Sequence, residues 1–321
     1  MAILRLPDEL LLDTFGYLFL PPPSVPPSAE AKPHRPDGAS LPNVCRRFHR
    51  LATPGLYTHL RFNFEESPSS ATQLYRTLSE KPELRPHCRS LRLTLPDPDA
   101  DLEEHMRNGG RLGEVSDATK EIMSMASEMM SWLENARDLF ISGYFIHHKT
   151  HLATWALVRS AGVHMSKLEN LSLGKQVFVE RVCDLLVEMK QLRTLEIGIG
   201  VAVEDITPPA PEVVGSSSVT SISVDYLLAV PENLERLLLL PAALEHFAFR
   251  GMSPGAYWSW SLPRMIGAVE PHRDTLRTLQ VASGRASGDD YNPHSLEDEV
   301  EDVDLSGFKE LREITFVAAP V

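Results

Sequence analysis

One short pattern limits what this chain can fold into. An apolar residue, then a second three positions on and a third two further, recurs as Leu168-Leu171-Leu173, Leu192-Leu195-Ile197, Val219-Ile222-Val224, Leu244-Phe247-Phe249, Leu276-Leu279-Val281 and Leu311-Ile314-Phe316. Looser copies stand at Cys88-Leu91-Leu93 and Ala136-Leu139-Ile141, and Leu56, Leu60 and Phe62 read as an irregular opening strand. Successive copies lie 48, 32, 24, 27, 25, 32 and 35 residues apart. The last two apolar positions flank a mostly polar one, as a strand with one buried face requires. Amphipathic helices are expected between copies, over Leu74–Leu84, Thr119–Leu133, Leu152–Ala161 and Phe178–Met189. Strand, helix, strand at this period builds a parallel sheet with helices on one side. Stacked units then bury one continuous ladder of Leu, Ile and Phe.

The shortest spacings fit leucine-rich repeats, and the longer ones imply loop insertions or long helices. The expected fold class is therefore α/β: a horseshoe over residues 56–321, its parallel sheet concave and its helices convex. Residues between the ladder positions must point onto the concave face. They are Asp138, Phe140, Ser142, Asn170, Ser172, Thr194, Glu196, Ser221, Ser223, Asp225, His246 and Arg250. Phe140 is expected to stand exposed among Asp138, Glu196 and Asp225, and an aromatic anchor with a polar rim is what a binding hot spot looks like. Asp138, Phe140, Ser172, Thr194, Glu196, Ser223, Asp225, His246 and Arg250 are the expected target contacts, and their acidic excess points to a protein with a basic segment. The competing expectation has the Gly143–His148 loop covering Phe140. The strand holding Phe316 is the last of the series, and an uncovered edge invites a partner or self-association.

Residues 1–55 are of another kind. In ILRLPDELLLDTFGYL, Pro7 suits a first helical position, and Asp8 and Glu9 suit the positive end of the dipole. Leu11, Phe15 and Leu18 recur at helical spacing with Leu10 beside them. In LPNVCRRFHRLA, Leu41, Val44, Cys45, Phe48 and Leu51 make a second stripe, with Arg46, Arg47 and Arg50 on the other face. Between them Pro21–Ser40 holds seven prolines in twenty residues and reads as an extended, solvated loop. So small a unit has too little core to hide every apolar side chain, and the leftover surface implies a partner.

LPDELL, VCRRFHRLA and LYTHLRF resemble an F-box of the fungal F-box/leucine-rich-repeat type, and LYRTLSEKPELRPHCRSLRL resembles the first repeat of such proteins. Pro21–Ser40 stands where that family has a connector of a few residues. The resemblance implies a non-catalytic substrate-recognition subunit of an SCF-type (cullin-RING) ubiquitin ligase. The F-box would dock onto the Skp adaptor through Leu6, Pro7, Leu10, Leu11, Phe15, Leu18, Leu41, Val44, Cys45, Phe48 and Leu51. The repeats would hold a target near the charged ubiquitin-carrying enzyme and raise its effective concentration. The alternative is a repeat scaffold with a degenerate F-box and no ligase role.

Composition narrows the remaining classes. The net charge is −13, with 31 Lys and Arg against 44 Asp and Glu; residues 1–62 hold seven and five of these, which leaves the rest at −15. A body this acidic argues against nucleic-acid binding. Three widely spaced cysteines without a C-x-x-C point to a reducing compartment and no structural zinc. With no signal-peptide pattern and no apolar run near 18 residues, an intracellular, cytoplasmic or nuclear protein without a membrane span is expected.

The catalytic motifs are incomplete. Gly251-Met252-Ser253-Pro254-Gly255 matches G-x-S-x-G, but the oxyanion hole needs the N–H after the serine, and Pro254 has none. Gly198-Ile199-Gly200 lacks the third glycine of a dinucleotide loop and reads as a plain loop. His147, His148 and His151 lack the glutamate of a zincin. Tyr257, Trp258 and Trp260 form an aromatic cluster that reads as packing. Asp97–Gly113, Pro208–Ser218 and the acidic Asp289–Asp304 read as loops. No catalytic residue, metal or cofactor is expected.

Overall fold

A computed structural model describes residues 6–19, 37–96, 117–143, 150–201, 209–228, 231–252, 262–283 and 304–317. Nine strands pair in parallel, in chain order, to make one sheet: β1 (His59–Asn63), β2 (Ser90–Thr94), β3 (Asp138–Ser142), β4 (Asn170–Phe178), β5 (Thr194–Val201), β6 (Ser221–Leu228), β7 (His246–Met252), β8 (Thr278–Ser283) and β9 (Glu313–Val317). Two helices precede it, α1 (Asp8–Phe19) and α2 (Arg46–Leu56). Among the described residues six more lie between strands: α3 (Pro68–Glu80), α4 (Asp117–Trp132), α5 (Thr150–His164), α6 (Val179–Glu188), α7 (Pro231–Leu238) and α8 (Leu262–Val269). The chain is thus α/β. No described helix is long and apolar enough to cross a membrane.

Register aligns the apolar pattern across the sheet. Leu91, Leu139, Leu171, Leu195, Ile222, Phe247 and Leu279 form one row, and Leu93, Ile141, Leu173, Ile197, Val224, Phe249 and Val281 the next. Every one of them is at most 2% exposed. The first position of the pattern, just ahead of each strand, is buried as well, at Cys88, Ala136, Leu168, Leu192, Val219, Leu244 and Leu276. Helical Leu78, Met129, Met130, Val158, Leu185, Leu237 and Met265 join the same core, so the helices cover this face of the sheet. Burial pushes the Cys88 thiol up to about 12, which keeps it protonated and inert. At β9 the ladder ends, and Ile314 is 41% exposed.

Several boundaries differ from the sequence reading. The first inter-strand helix starts at Pro68, where proline suits the opening turn, and Leu84 sits in a separate 3-10 helix, Pro82–His87. Phe178 ends β4 rather than opening α6. Gly198, Ile199 and Gly200 lie inside β5, not in a loop, because they continue its pairing with β6. The expected extended insert ends early, since Asp37–Asn43 forms a 3-10 helix. Leu56 belongs to α2, so the helical segment runs one residue past the expected boundary at 55. The readings for Asp97–Gly113, His147 and His148, Ser253–Gly255, the Tyr257–Trp260 cluster and 289–303 lie outside the described residues.

One buried polar side chain ties neighbouring units together. His272 Nε2 donates to the Leu238 carbonyl at the end of α7, at 2.6 Å, and Nδ1 accepts from the Leu244 N–H at 3.4 Å. These partners require the neutral ring, and burial holds its pKa below the ordinary histidine value, against the pull of the Leu238 carbonyl.

Two stability experiments follow from this packing. Leu171→Ala should cost about 2–5 kcal/mol, whereas Ser172→Ala, one residue on and facing away, should change stability by about 0.5 kcal/mol or less. Equal effects in chemical denaturation would overturn the assignment of faces. For His272, an unfolded chain takes up the proton near pH ~6.5 while the folded one resists. The contribution is therefore whole above that pH and declines below it. A melting series from about pH 7 to 5 should fall less steeply in His272→Gln than in the parent, and parallel curves would count against it.

Candidate functional site

Two surfaces stand apart from the main core. The first is on the helical segment before the sheet. Leu11, Phe15, Phe48, Leu51 and Ala52 form a small core of their own, with Leu18, Leu41 and Cys45 packed against it. The Phe15 and Phe48 rings meet edge to face at 5.1 Å, a favoured aromatic geometry. Cys45 caps α2, its Sγ accepting from the Phe48 N–H at 3.5 Å. Arginine clamps α1 to α2. Arg47 Nε donates to Asp8 Oδ1 at 2.7 Å and its Nη2 to the Leu6 carbonyl at 2.6 Å, while Arg50 Nη2 reaches Asp8 Oδ2 at 2.6 Å. The hydrogen bond from Arg47 and the charges of both arginines hold the Asp8 carboxyl below the usual carboxylate range. Arg47 and Arg50, expected on the face away from the apolar stripe, link the two helices.

This packing divides the expected adaptor contacts. Leu11, Phe15, Phe48 and Leu51 are interior, and Leu18, Leu41 and Cys45 are half-buried beside them. They support the surface from beneath. Leu6, Leu10 and Val44 are exposed at 38%, 53% and 60%, and Pro7 is exposed next to Leu6. Leu12, which the sequence reading passed over, joins them at 47%. Its signal was present as the third leucine of Leu10-Leu11-Leu12: one helix stripe cannot bury three consecutive side chains.

The second surface is the sheet face away from the helices. Its residues fall into register rows. One runs His59, Ser90, Asp138, Asn170, Thr194, Ser221, His246, Thr278, and the next Arg61, Arg92, Phe140, Ser172, Glu196, Ser223, Ala248, Gln280. Asp225 and Arg250 lie beyond, on β6 and β7, and pair at 3.4 Å. The expected target contacts thus share one face. A depression of about 370 Å³ opens among Ser90, Asp138, Phe140, Asn170, Ser172, Thr194 and Glu196.

Phe140 does not stand free. The Arg92 guanidinium lies 3.9 Å above its ring centroid, a cation–π contact. Beneath the ring tip is Gly174, where an added Cβ would come within 3.2 Å of Phe140 Cζ. The ring is therefore half-buried by Arg92 and the next strand. Burial, then the neighbouring charge of Arg61, lowers the Arg92 pKa. Asn170 Nδ2 donates to Asp138 Oδ1 at 2.6 Å, and His246 Nδ1 meets Thr278 Oγ1 at 2.8 Å. Burial raises the Asp225 carboxyl, with Arg250 opposing and Glu196 adding to the rise. Arg61, Arg92 and Glu196 form no ion pair among the described residues. The face is cationic at β1 and β2 and acidic from β3 to β6. Arg61 and Arg92 escaped the sequence reading, which began the face at Asp138; the alternation in HLRF and SLRLT marks them.

No group of three His, Cys, Asp or Glu able to hold a metal ion occurs among the described residues. No protein-family model matches this chain, and no curated protein matches it.

The arginine clamp is testable by itself. Asp8→Asn should speed amide exchange in α1 and α2 while leaving the β3–β7 amides unchanged, because the two cores are separate. In the parent the clamp should persist below the ordinary aspartate value of about 3.9 and loosen as pH falls through the lower folded value. Uniform acceleration across the sheet would refute this separation.

Proposed function

We propose that this chain is the substrate-recognition subunit of a cullin-RING ubiquitin ligase, an F-box followed by a leucine-rich-repeat horseshoe. The observation that carries the reading is the set of exposed apolar side chains Leu6, Leu10, Leu12 and Val44 on a helical segment whose own core is complete without them. Large exposed apolar side chains this numerous on so small a segment favour an interaction surface. LPDELL and VCRRFHRLA supply Leu6, Leu10 and Val44, and these are the stretches that resemble an F-box. Further support comes from the parallel sheet, whose sequential strand order is that of a stacked repeat. The mechanism is tethering. The helical segment holds the Skp adaptor, the concave face holds a target protein, and the target's lysines are concentrated at the ubiquitin carrier without chemistry from this chain.

The test separates surface from core. Leu10→Asp and Val44→Asp should abolish co-purification with the Skp adaptor while the melting temperature stays within a few degrees, since a charge is added to a contact and not to the interior. Leu11→Asp should lose the adaptor by unfolding the helical segment. Adaptor capture at parental levels in both surface variants would sink the proposal and leave an interaction scaffold without a ligase role.

A further inference from the structure

The charges on the open face are sorted. Arg61 and Arg92 stand side by side on β1 and β2 in one register row. Neither meets a carboxylate among the described residues. Arg92 is half-buried and held flat by Phe140, so its position is set before any ligand arrives. In the same row, three strands further on, Glu196 is exposed and unpaired. Across the strand pair from it stands Ser223, and two residues further along β6 is Asp225, whose Arg250 partner sits on β7 at 3.4 Å. The depression beside Phe140 and Ser172 lies between the two charge groups. A surface selected only for solubility interleaves opposite charges; this one sets two arginines without a carboxylate partner at β1 and β2 and a glutamate without a cation at β5.

We propose that this face takes an extended peptide segment of a target protein that crosses the strands and carries an acidic side chain at one end and a basic side chain at the other. The acid lies over Arg61 and Arg92 and the base over Glu196 and Asp225. Strands lie about 4.8 Å apart, so β2 to β5 is roughly 14 Å, and an extended chain rises about 3.3 Å per residue. The two charges are therefore about four residues apart in the ligand. Between them a small or apolar residue fits the depression against Phe140. Arginine suits the acid end because its planar fork binds an oxyanion bidentately. This inference adds to the basic segment expected from Asp138, Glu196 and Asp225 an acid end that those residues alone do not call for. It rests on the reading of the sheet as the target-binding face.

The experiment uses the full chain and fluorescein-labelled peptides of about a dozen residues, measured by anisotropy at low and physiological salt. One peptide carries paired glutamates and paired arginines about four residues apart, in both chain orders. The others carry only the glutamates, only the arginines, or the same charges adjacent. The spaced peptide should bind at least about tenfold more tightly than the adjacent one, with the difference shrinking as salt rises. Arg61→Glu, an exposed substitution, should weaken it about threefold or more and turn preference toward the arginine-only peptide; Arg92→Glu should do so more strongly. Such a change of preference is a readout that simple loss of the Arg92–Phe140 packing would not produce. Equal binding of all the peptides, binding by none, or unchanged preference in both variants would overturn the proposal. Failure here with adaptor capture intact would leave the ligase reading standing, and loss of adaptor capture with peptide selectivity intact would remove the ligase reading alone.

Discussion

The arrangement depends on one backbone device, repeated at each junction between units. The carbonyl of the residue before a strand accepts two consecutive N–H groups from the next unit. Thr58 O takes Arg89 and Ser90, Arg89 O takes Arg137 and Asp138, Arg137 O takes Glu169 and Asn170, and Glu169 O takes Arg193 and Thr194. The series continues through Arg193, Thr220, Glu245 and Arg277, at 2.7–3.2 Å throughout. A carbonyl has two lone pairs, so it can satisfy both donors at once. This fork starts every strand at the same height and fixes register before the ladder begins. A slip of one residue would carry every leucine to the wrong face. Salt bridges along this rim, such as Arg277–Glu245 at 2.6 Å, are largely exposed and add little each. The fork and the buried rows hold the register.

Locked register has a consequence on the opposite face. Because β1 to β9 start together, side chains separated by tens of residues in sequence become neighbours in straight rows. Arg61, Arg92, Phe140, Ser172 and Glu196 are one such row. The inner rows are constrained by packing density, where a change of one methylene is felt. Among the described residues the outer rows meet solvent and one another, and their composition is free to follow a ligand. A sorted charge pattern therefore carries information on the outer face that it would not carry in a loop.

Much of the sheet was legible from the spacing of three apolar residues, because burial of a ladder admits few side chains. Leu171 and Leu173, or Phe247 and Phe249, could be assigned to the interior from pattern alone, and their faces follow. Boundaries were less legible. Phe178 and Gly198 prolong strands through pairing with a neighbour, which is a non-local effect that no local propensity encodes. On the helical segment the stripes of Leu11, Phe15 and Phe48 were visible, but the stripe does not tell whether a side chain packs on its own partner helix or on another protein. Only the pairing of α1 with α2 through Asp8 and Arg47 decides that, and it sorts Leu11 inward and Leu10 outward. The half-burial of Phe140 likewise depends on Arg92, 48 residues earlier, and on the missing side chain of Gly174.

Tethering further requires that the two surfaces keep a defined separation, since effective concentration falls when a linker is slack. The chain meets this at Thr58. Only Tyr57 and Thr58 separate the end of α2 at Leu56 from the start of β1 at His59. Thr58 Oγ1 donates to the Pro54 carbonyl inside α2, at 2.9 Å, while the Thr58 carbonyl is the first fork of the sheet. Tyr57 packs against the main core. One residue thus closes the helix and opens the ladder, and the joint is held on both sides. The Pro-rich stretch lies on the other side of α2, between the two helices, where its length alters loop closure by only about 0.6 kcal/mol per doubling. Under the proposed tethering, the junction that sets the separation of the two surfaces is the short one at Tyr57 and Thr58.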